Sequence, residues 1–245
     1  TGTRVHVLHV SSAAELTPLA EAKARGVDIT AETCPHYLLL DDADYDRHGS
    51  VIRVNPPIRE ASDARALWQA LRDGPIDMLA TDHAPHNPAE KRNEDIWEAD
   101  CGFPGVETQM PLMLTAVNEG RLGLCDYVRL VAEAPARHWG LYPRKGVIRA
   151  GADADIAVVD LGRDEPIRAD ALHSVNARIS PYDRYRVTGL PVHTLVRGRF
   201  VMRNRLLQDA QGHGRNVAPQ QVMPAADVRH ADRTIAAELA RAGGS

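Results

Sequence analysis

Cysteine is scarce: the 245-residue chain has three, Cys34, Cys101 and Cys125, widely spaced, odd in number and without a C-x-x-C pair. That pattern supports neither a disulfide framework nor a cysteine zinc site, and makes a reducing compartment, the cytoplasm, the expectation. An excess of positive charge is also lacking. The 29 Lys and Arg are set against 33 Asp and Glu, a formal net charge of -4, so there is no basic surface of the kind that nucleic acid or an anionic membrane requires. No apolar run approaches the roughly 20 residues of a spanning helix, and no basic-then-apolar leader opens the chain. No internal repeat is present. These absences exclude nucleic acid and membrane as expected partners and leave a small neutral or anionic molecule. The 44% hydrophobic content is enough for a real core, which excludes a disordered or fibrous chain. The chain begins Thr1-Gly-Thr3 without a methionine and runs straight into a strand, from which we expect a further portion N-terminal to it.

What is present alternates. Val5 to Val10 is rich in β-branched residues and predicts a strand; Ser11-Ser12 then caps a helix to about Arg25, and Val27 to Glu32 predicts the next strand. A loop is expected from Cys34-Pro35, and Ile52 to Val54 reads as strand-like. Ala64, Leu67, Trp68 and Leu71 recur at helical spacing within a helix from about Ser62 to Arg72, and Ile76 to Ala80 predicts a short buried strand. Helices follow over about 107–119, 125–132 and 135–139. Strands alternating with helices of this length predict a parallel α/β sheet, open or closed into a barrel. After Lys145-Gly146 the texture changes to short β-branched runs, 155–160, 194–197 and 199–202, expected to form an antiparallel appendage. The tail beyond Leu207 carries few large hydrophobes, with a short helix expected near 233–241.

The chemistry concentrates in Leu79-Ala-Thr-Asp-His-Ala-Pro-His86, where an apolar run ends in an acid and two histidines. Catalytic groups collect at the carboxyl ends of strands in barrels and open sheets alike. Asp82 can there be a metal ligand, a general base, or both in succession; a lone aspartate after a strand is more often a turn or cap. His6 and His9 lie three residues apart on the first strand, an odd step that sends them to different faces or ends. His9, nearer the carboxyl end, is the ligand candidate, against the plain alternative of a hydrogen-bonded core histidine. His83 reads either as a partner of Asp82 or as a solvated loop residue. Two prolines after Asn55 hold its amide at a defined point, or merely make a turn. Cys101-Gly-Phe-Pro-Gly105 lets backbone approach a ligand closely, but lacks the ending of a phosphate loop.

Read together, His9-Val-Ser-Ser12, Glu32-Thr-Cys-Pro-His-Tyr-Leu38, Val54-Asn-Pro-Pro-Ile-Arg59, Ala80-Thr-Asp-His-Ala-Pro-His86, Gly105-Val-Glu-Thr108 and Gly151-Ala-Asp-Ala-Asp-Ile156 resemble, in order, the cyclic amidohydrolases: dihydroorotases and their allantoinase and dihydropyrimidinase relatives. The resemblance implies the C-terminal portion of a metal-dependent (β/α)8 TIM barrel plus part of a small β-sandwich domain. Residues 1–146 would be partial barrel from about the sixth strand, 147–205 part of a composite β-domain, and 206–245 a C-terminal tail. It also implies one or two zinc ions. His9 would be a metal ligand and Asp82 a ligand that shuttles the proton, while Asn55, His86 and the backbone of Cys101 and Gly102 would hold the substrate.

The departures matter equally. The family's H-x-H on strand one, its bridging lysine and its fifth-strand histidine have no counterpart here, so this polypeptide carries half a metal centre and is expected to be an inactive fragment of a longer enzyme, a homo-oligomer when whole. Asn55 before two prolines and His86 favour dihydroorotase (dihydroorotate and N-carbamoyl-aspartate, in pyrimidine biosynthesis). Glu32-Thr-Cys-Pro-His-Tyr37 looks more like an allantoinase, so allantoinase or dihydropyrimidinase/hydantoinase is the alternative. A metal-free amidohydrolase-like scaffold is the alternative of another class.

Overall fold

The computed structural model describes residues 2–219. Strand β1 (Val5–Val7) stops short of the expected Val10, because His9 takes a left-handed conformation at φ 38°. Helix α1 (Leu16–Ala24) follows a 3-10 turn at Ala13–Glu15. The Glu15 carboxylate accepts from the N–H groups of Ser11 (3.1 Å) and Ser12 (2.9 Å), two donors at the helix entry. Strand β2 (Ile29–Thr33) leads directly into α2 (Pro35–Leu39), not the expected loop. Proline suits the first helical position, where its missing N–H would have been unpaired anyway.

Short α3 (Tyr45–His48) is followed by a 3-10 turn at Gly49–Ile52 instead of the strand expected at Ile52 to Val54. The Arg53 N–H is used locally, on the Ser50 carbonyl at 3.1 Å, and β-branched content without a neighbouring strand does not make one. Helix α4 (Ala61–Asp73) buries Leu67, Trp68, Ala70 and Leu71, as its spacing predicts, and hands over to β3 (Met78–Leu79). Next come α5 (Pro88–Lys91), α6 (Gln109–Asn118), α7 (Leu124–Val128) and α8 (Ala134–His138), the last two joined by a π-helical turn at Arg129–Glu133 into one helical run.

The first three strands form a parallel sheet in the order β1-β2-β3, with Val5 opposite Ile29, Val7 opposite Ala31, and Thr33 opposite Leu79. Alternation along a strand then divides the residues between two faces. Val7, Ile29, Ala31 and Leu79 join the core with Leu67, Leu71, Leu114 and Leu130. The other face carries a polar row: His6 Nδ1 meets Thr30 Oγ1 at 2.8 Å and His6 Nε2 meets the Glu32 carboxylate at 3.1 Å. Buried Asp77 ties the sheet to its cover, accepting from the Ala31 N–H at 2.8 Å and pairing with the Lys23 ammonium of α1.

Strands β4 (Ile156–Pro166), β5 (Arg186–Val196), β6 (Arg199–Arg203) and β7 (Leu206–Leu207) form an antiparallel sheet in that order. The longer reach of β5 toward its N-terminus was hidden by Gly189 and Pro191, which read as breakers. Gly189 has a packing reason: at φ 104°, a Cβ there would sit 2.7 Å from Leu114 Cβ of α6. The sheet docks on α6 through polar clasps, the Thr188 N–H on Thr115 Oγ1 at 2.9 Å and the Asn118 amide on the carbonyls of Thr188 (2.8 Å) and Leu161 (3.0 Å). The helix expected near 233–241 lies outside the described residues. Among the described residues, no helix is long and apolar enough to cross a membrane.

Where the polar row meets α8, Arg4 donates to His138 Nδ1 at 3.0 Å, which identifies that nitrogen as unprotonated. Burial, the His6 ring and the Arg4 guanidinium together push His138 down to about 4. Between pH 6.5 and about 4 the unfolded chain therefore binds more protons than the folded one, and stability falls as pH falls through that window. Replacing His138→Asn, which keeps an acceptor, is expected to flatten the pH dependence of urea unfolding there by up to one proton, about 1.4 kcal/mol per pH unit. An unchanged slope would rule out this histidine as the titrating group.

Candidate metal and substrate site

Hydrogen bonding past the strand ends keeps three segments in step: the Val10 N–H donates to the Glu32 carbonyl at 2.8 Å, the Ala80 N–H to the Thr33 carbonyl at 2.9 Å, and Thr33 Oγ1 to the Val10 carbonyl at 2.7 Å. His9, Cys34 and Asp82 accordingly stand at the carboxyl ends of three neighbouring strands, with Cys34 on the middle one. Strand spacing puts the backbones of His9 and Asp82 roughly 10 Å apart, a gap that two inward-reaching side chains and an ion can bridge. Ahead of Asn176, His9 (φ 38°) and Asp82 (φ 46°) are the only described non-glycine residues with positive φ. Such backbone costs about 1 kcal/mol or more per residue and gathers at functional sites.

Near these strand ends stand residues of the α2 segment to which the sequence assigned no role. Buried Cys34 has its thiol pushed well up by burial, Asp82 and Glu32, which keeps it a protonated packing residue and not a nucleophile. His36, wholly buried on α2, is pushed down to about 3 by burial and by the nearby His9, so it is neutral. Burial, Cys34 and Asp82 likewise raise Tyr37, whose hydroxyl donates to the Pro56 carbonyl at 2.7 Å and joins this row to the Asn55 loop. The sequence signal for these residues was the run Glu32-Thr-Cys-Pro-His-Tyr-Leu38, which carried part of the resemblance without assigning them a role.

The donors also bear on metal. His9 Nδ1 and His36 Nε2 are buried nitrogens with no hydrogen-bond partner, which is costly unless a ligand satisfies them. An imidazole and a carboxylate at strand ends of one sheet are ligand types that suit a zinc-type ion, two where a hydrolytic site uses three or more. Among the described residues, the His/Cys/Asp/Glu group whose ligand atoms all lie within 4.8 Å of one another is a different one, His86, Glu90 and Asp100, and it is largely exposed.

The residues expected to hold substrate are partly brought together. His86 Nε2 donates to the Cys101 carbonyl at 2.9 Å, and its Nδ1 lies 3.5 Å from Asp100 and 3.9 Å from Glu90. Asn55 is exposed, and its side-chain amide makes no hydrogen bond among the described residues. His83 is exposed on the loop, as one of its two readings had it, and its Nδ1 accepts from the N–H groups of Gly105 (3.1 Å) and Val106 (3.2 Å), not from Asp82. The glycines of the 101–105 turn serve close packing against that segment. A Cβ on Gly102, at φ 119°, would fall 2.4 Å from Ala84 Cβ, and one on Gly105 would fall 2.9 Å from the Thr81 carbonyl oxygen.

Comparison with known proteins was then informative. The model of the amidohydrolase family matches residues 1–201. An L-hydantoinase of Paenarthrobacter aurescens is 39% identical over 219 residues, 88% of this chain and 48% of that relative. A dihydroorotase of Geobacter sp. (strain M21) is 39% identical over 200 residues, 82% of this chain and 46% of that relative. The solved L-hydantoinase (dihydropyrimidinase) from Arthrobacter aurescens superimposes with a TM-score of 0.82 at 39% identity, covering 87% of this chain and 48% of that one. The chain thus spans about half the length of the curated relatives it matches.

The Gly102 contact yields a measurable contrast. Gly102→Ala combines a left-handed backbone with a clash and is expected to lower the free energy of urea unfolding by about 2 kcal/mol or more, whereas Gly212→Ala, also at positive φ but with open space around it, costs about 1 kcal/mol. Equal losses at the two positions would mean that the 81–84 contact contributes nothing.

Proposed function

Because this chain belongs to the amidohydrolase family, we propose that it is the C-terminal portion of a metal-dependent cyclic amidohydrolase, most specifically a dihydroorotase. The observations that carry the reading are the left-handed backbones of His9 and Asp82 at strand ends of one parallel sheet and the buried, unpartnered Nδ1 of His9. We propose zinc as the ion, with His9 and Asp82 as two of its ligands. When bound, the ion supplies a Lewis acid that activates water and polarises the ring amide carbonyl.

Everything else is work for the chain's own residues. Asp82 takes the proton of the attacking water and returns it to the ring nitrogen as the C–N bond breaks, a transfer that a carboxylate at a fixed strand end can make in both directions. Neutral His36 and protonated Cys34 beside it add no competing charge and no competing nucleophile. Asn55 offers a donor and an acceptor to the ring. The backbone of Cys101 and Gly102, with His86, offers polar contacts suited to a ring that bears a carboxylate.

A second reading has its own support. Two relatives of equal identity differ in the substrate their names state, one a hydantoinase and one a dihydroorotase, and Cys34 stands within a run that looks more like the allantoinases. Hydrolysis of dihydroorotate, hydantoin and allantoin by the full-length protein separates these readings. We expect dihydroorotate to be the best substrate, metal chelation to abolish turnover, and Asp82→Asn to lower kcat by about 10²- to 10⁴-fold with less change in KM. Preference for hydantoin or allantoin would replace the dihydroorotase reading. Full-length protein without bound metal or turnover would favour a scaffold.

A further inference from the structure

Lys91 ends α5 inside the charged run Glu90-Lys-Arg-Asn-Glu-Asp95, whose other members are all exposed, yet its own side chain is fully buried at 0%. A buried ammonium costs several kcal/mol unless its donors are satisfied. Here they are satisfied by main chain alone: Nζ donates to the Arg53 carbonyl and, at 2.7 Å, to the Asp100 carbonyl. Among the described residues, no carboxylate is bonded to it. Burial, partly offset by nearby Cys101 and Asp100 and reinforced by Arg53, pushes the group down to about 8, so the fold holds this cation against its own preference.

The two carbonyls are informative by position. Arg53 stands two residues before Asn55, and Asp100 immediately before Cys101. The same Arg53 carbonyl accepts the Gly102 N–H at 2.9 Å, the Asp100 N–H returns to the Glu90 carbonyl at 3.0 Å, and the Arg53 guanidinium reaches the Ala99 carbonyl. His86, five residues ahead of Lys91 on its own segment, bonds the Cys101 carbonyl. Three segments far apart in sequence therefore converge on one ammonium, and each carries a residue proposed above to contact substrate.

We propose that Lys91 is the positioning residue of the substrate loops: without touching substrate, it holds the Asn55 loop, the His86 segment and the Cys101-Gly102 turn at fixed mutual distances. The kinetic part of this proposal rests on the cyclic amidohydrolase reading; the structural part does not. A methionine keeps most of the volume of the lysine stem and removes only the ammonium donors to the two carbonyls. The substitution Lys91→Met thus separates packing from positioning.

Two measurements test it. In this chain, hydrogen exchange at the Gly102 and Asp100 N–H groups is expected to quicken at least tenfold in K91M while β2 and α4 keep their protection; unchanged exchange at both groups overturns the proposal. In the full-length enzyme, K91M is expected to raise KM for the ring substrate about tenfold with kcat within threefold, the pattern of lost uniform binding, and an unchanged KM overturns it. Should K91M not fold, K91Q, which keeps two N–H donors on a shorter stem, carries the same two readouts. A full-length wild type that hydrolyses none of the three rings removes the functional reading alone, and the exchange measurement then decides the role of Lys91.

Discussion

Parallel pairing of three short strands is the constraint on which the rest of the molecule depends. Parallel register puts the carboxyl ends of β1, β2 and β3 on one side, and the hydrogen bonds that continue past those ends hold His9, Cys34 and Asp82 in one row. The candidate site residues described above are in that row, on helices α2 and α5, or on the loops around them. Asp77, one residue before β3, locks the pairing by bonding the backbone of β2 and the Lys23 ammonium of α1 at once.

Above that base, the site is made of compromises in which local preference yields to position. His9 and Asp82 accept left-handed backbone, His36 keeps an unpartnered nitrogen in a dry setting, and Lys91 is an ion where an apolar residue would be easier to hold. None of these is explained by packing, and all lie on the carboxyl side of the sheet. Elsewhere the helix-side face of the sheet, α4 and α6 share one apolar core with β5, and the other left-handed non-glycine residues, from Asn176 onward, lie outside the parallel sheet.

Much of this was legible in the residues. The spacing of Leu67, Trp68 and Leu71 predicted α4, and the β-branched runs predicted all three parallel strands, although each proved shorter than its apolar run. His9 and Asp82 were legible because strand ends collect function. The helix at Pro35–Leu39 and the 3-10 turn before Val54 were not, since proline after a strand reads equally as loop, and β-branched residues read as strand wherever they fall. His83, read as a partner of Asp82 or a solvated loop residue, proved exposed and bonded to the Gly105 and Val106 N–H groups, and the glycines of 101–105, read as admitting a ligand, proved to pack against Thr81 and Ala84. Lys91 left no sequence signal at all, sitting in a charged run that any reading assigns to solvent.

By itself, the sequence determined which residues are candidates for the chemistry and which elements end beside them, because periodicity, turn residues and motif order are local properties of the chain. Tertiary structure alone decided which of those groups meet. That Asn55, His86 and Cys101 gather around a buried ammonium, and that Tyr37 joins their cluster to the row of His9 and Asp82, depends on segments 9 to 38 residues apart coming within hydrogen-bond distance. Such approach is set by the shared core and by the need to satisfy each buried polar group, conditions that no local stretch of sequence contains.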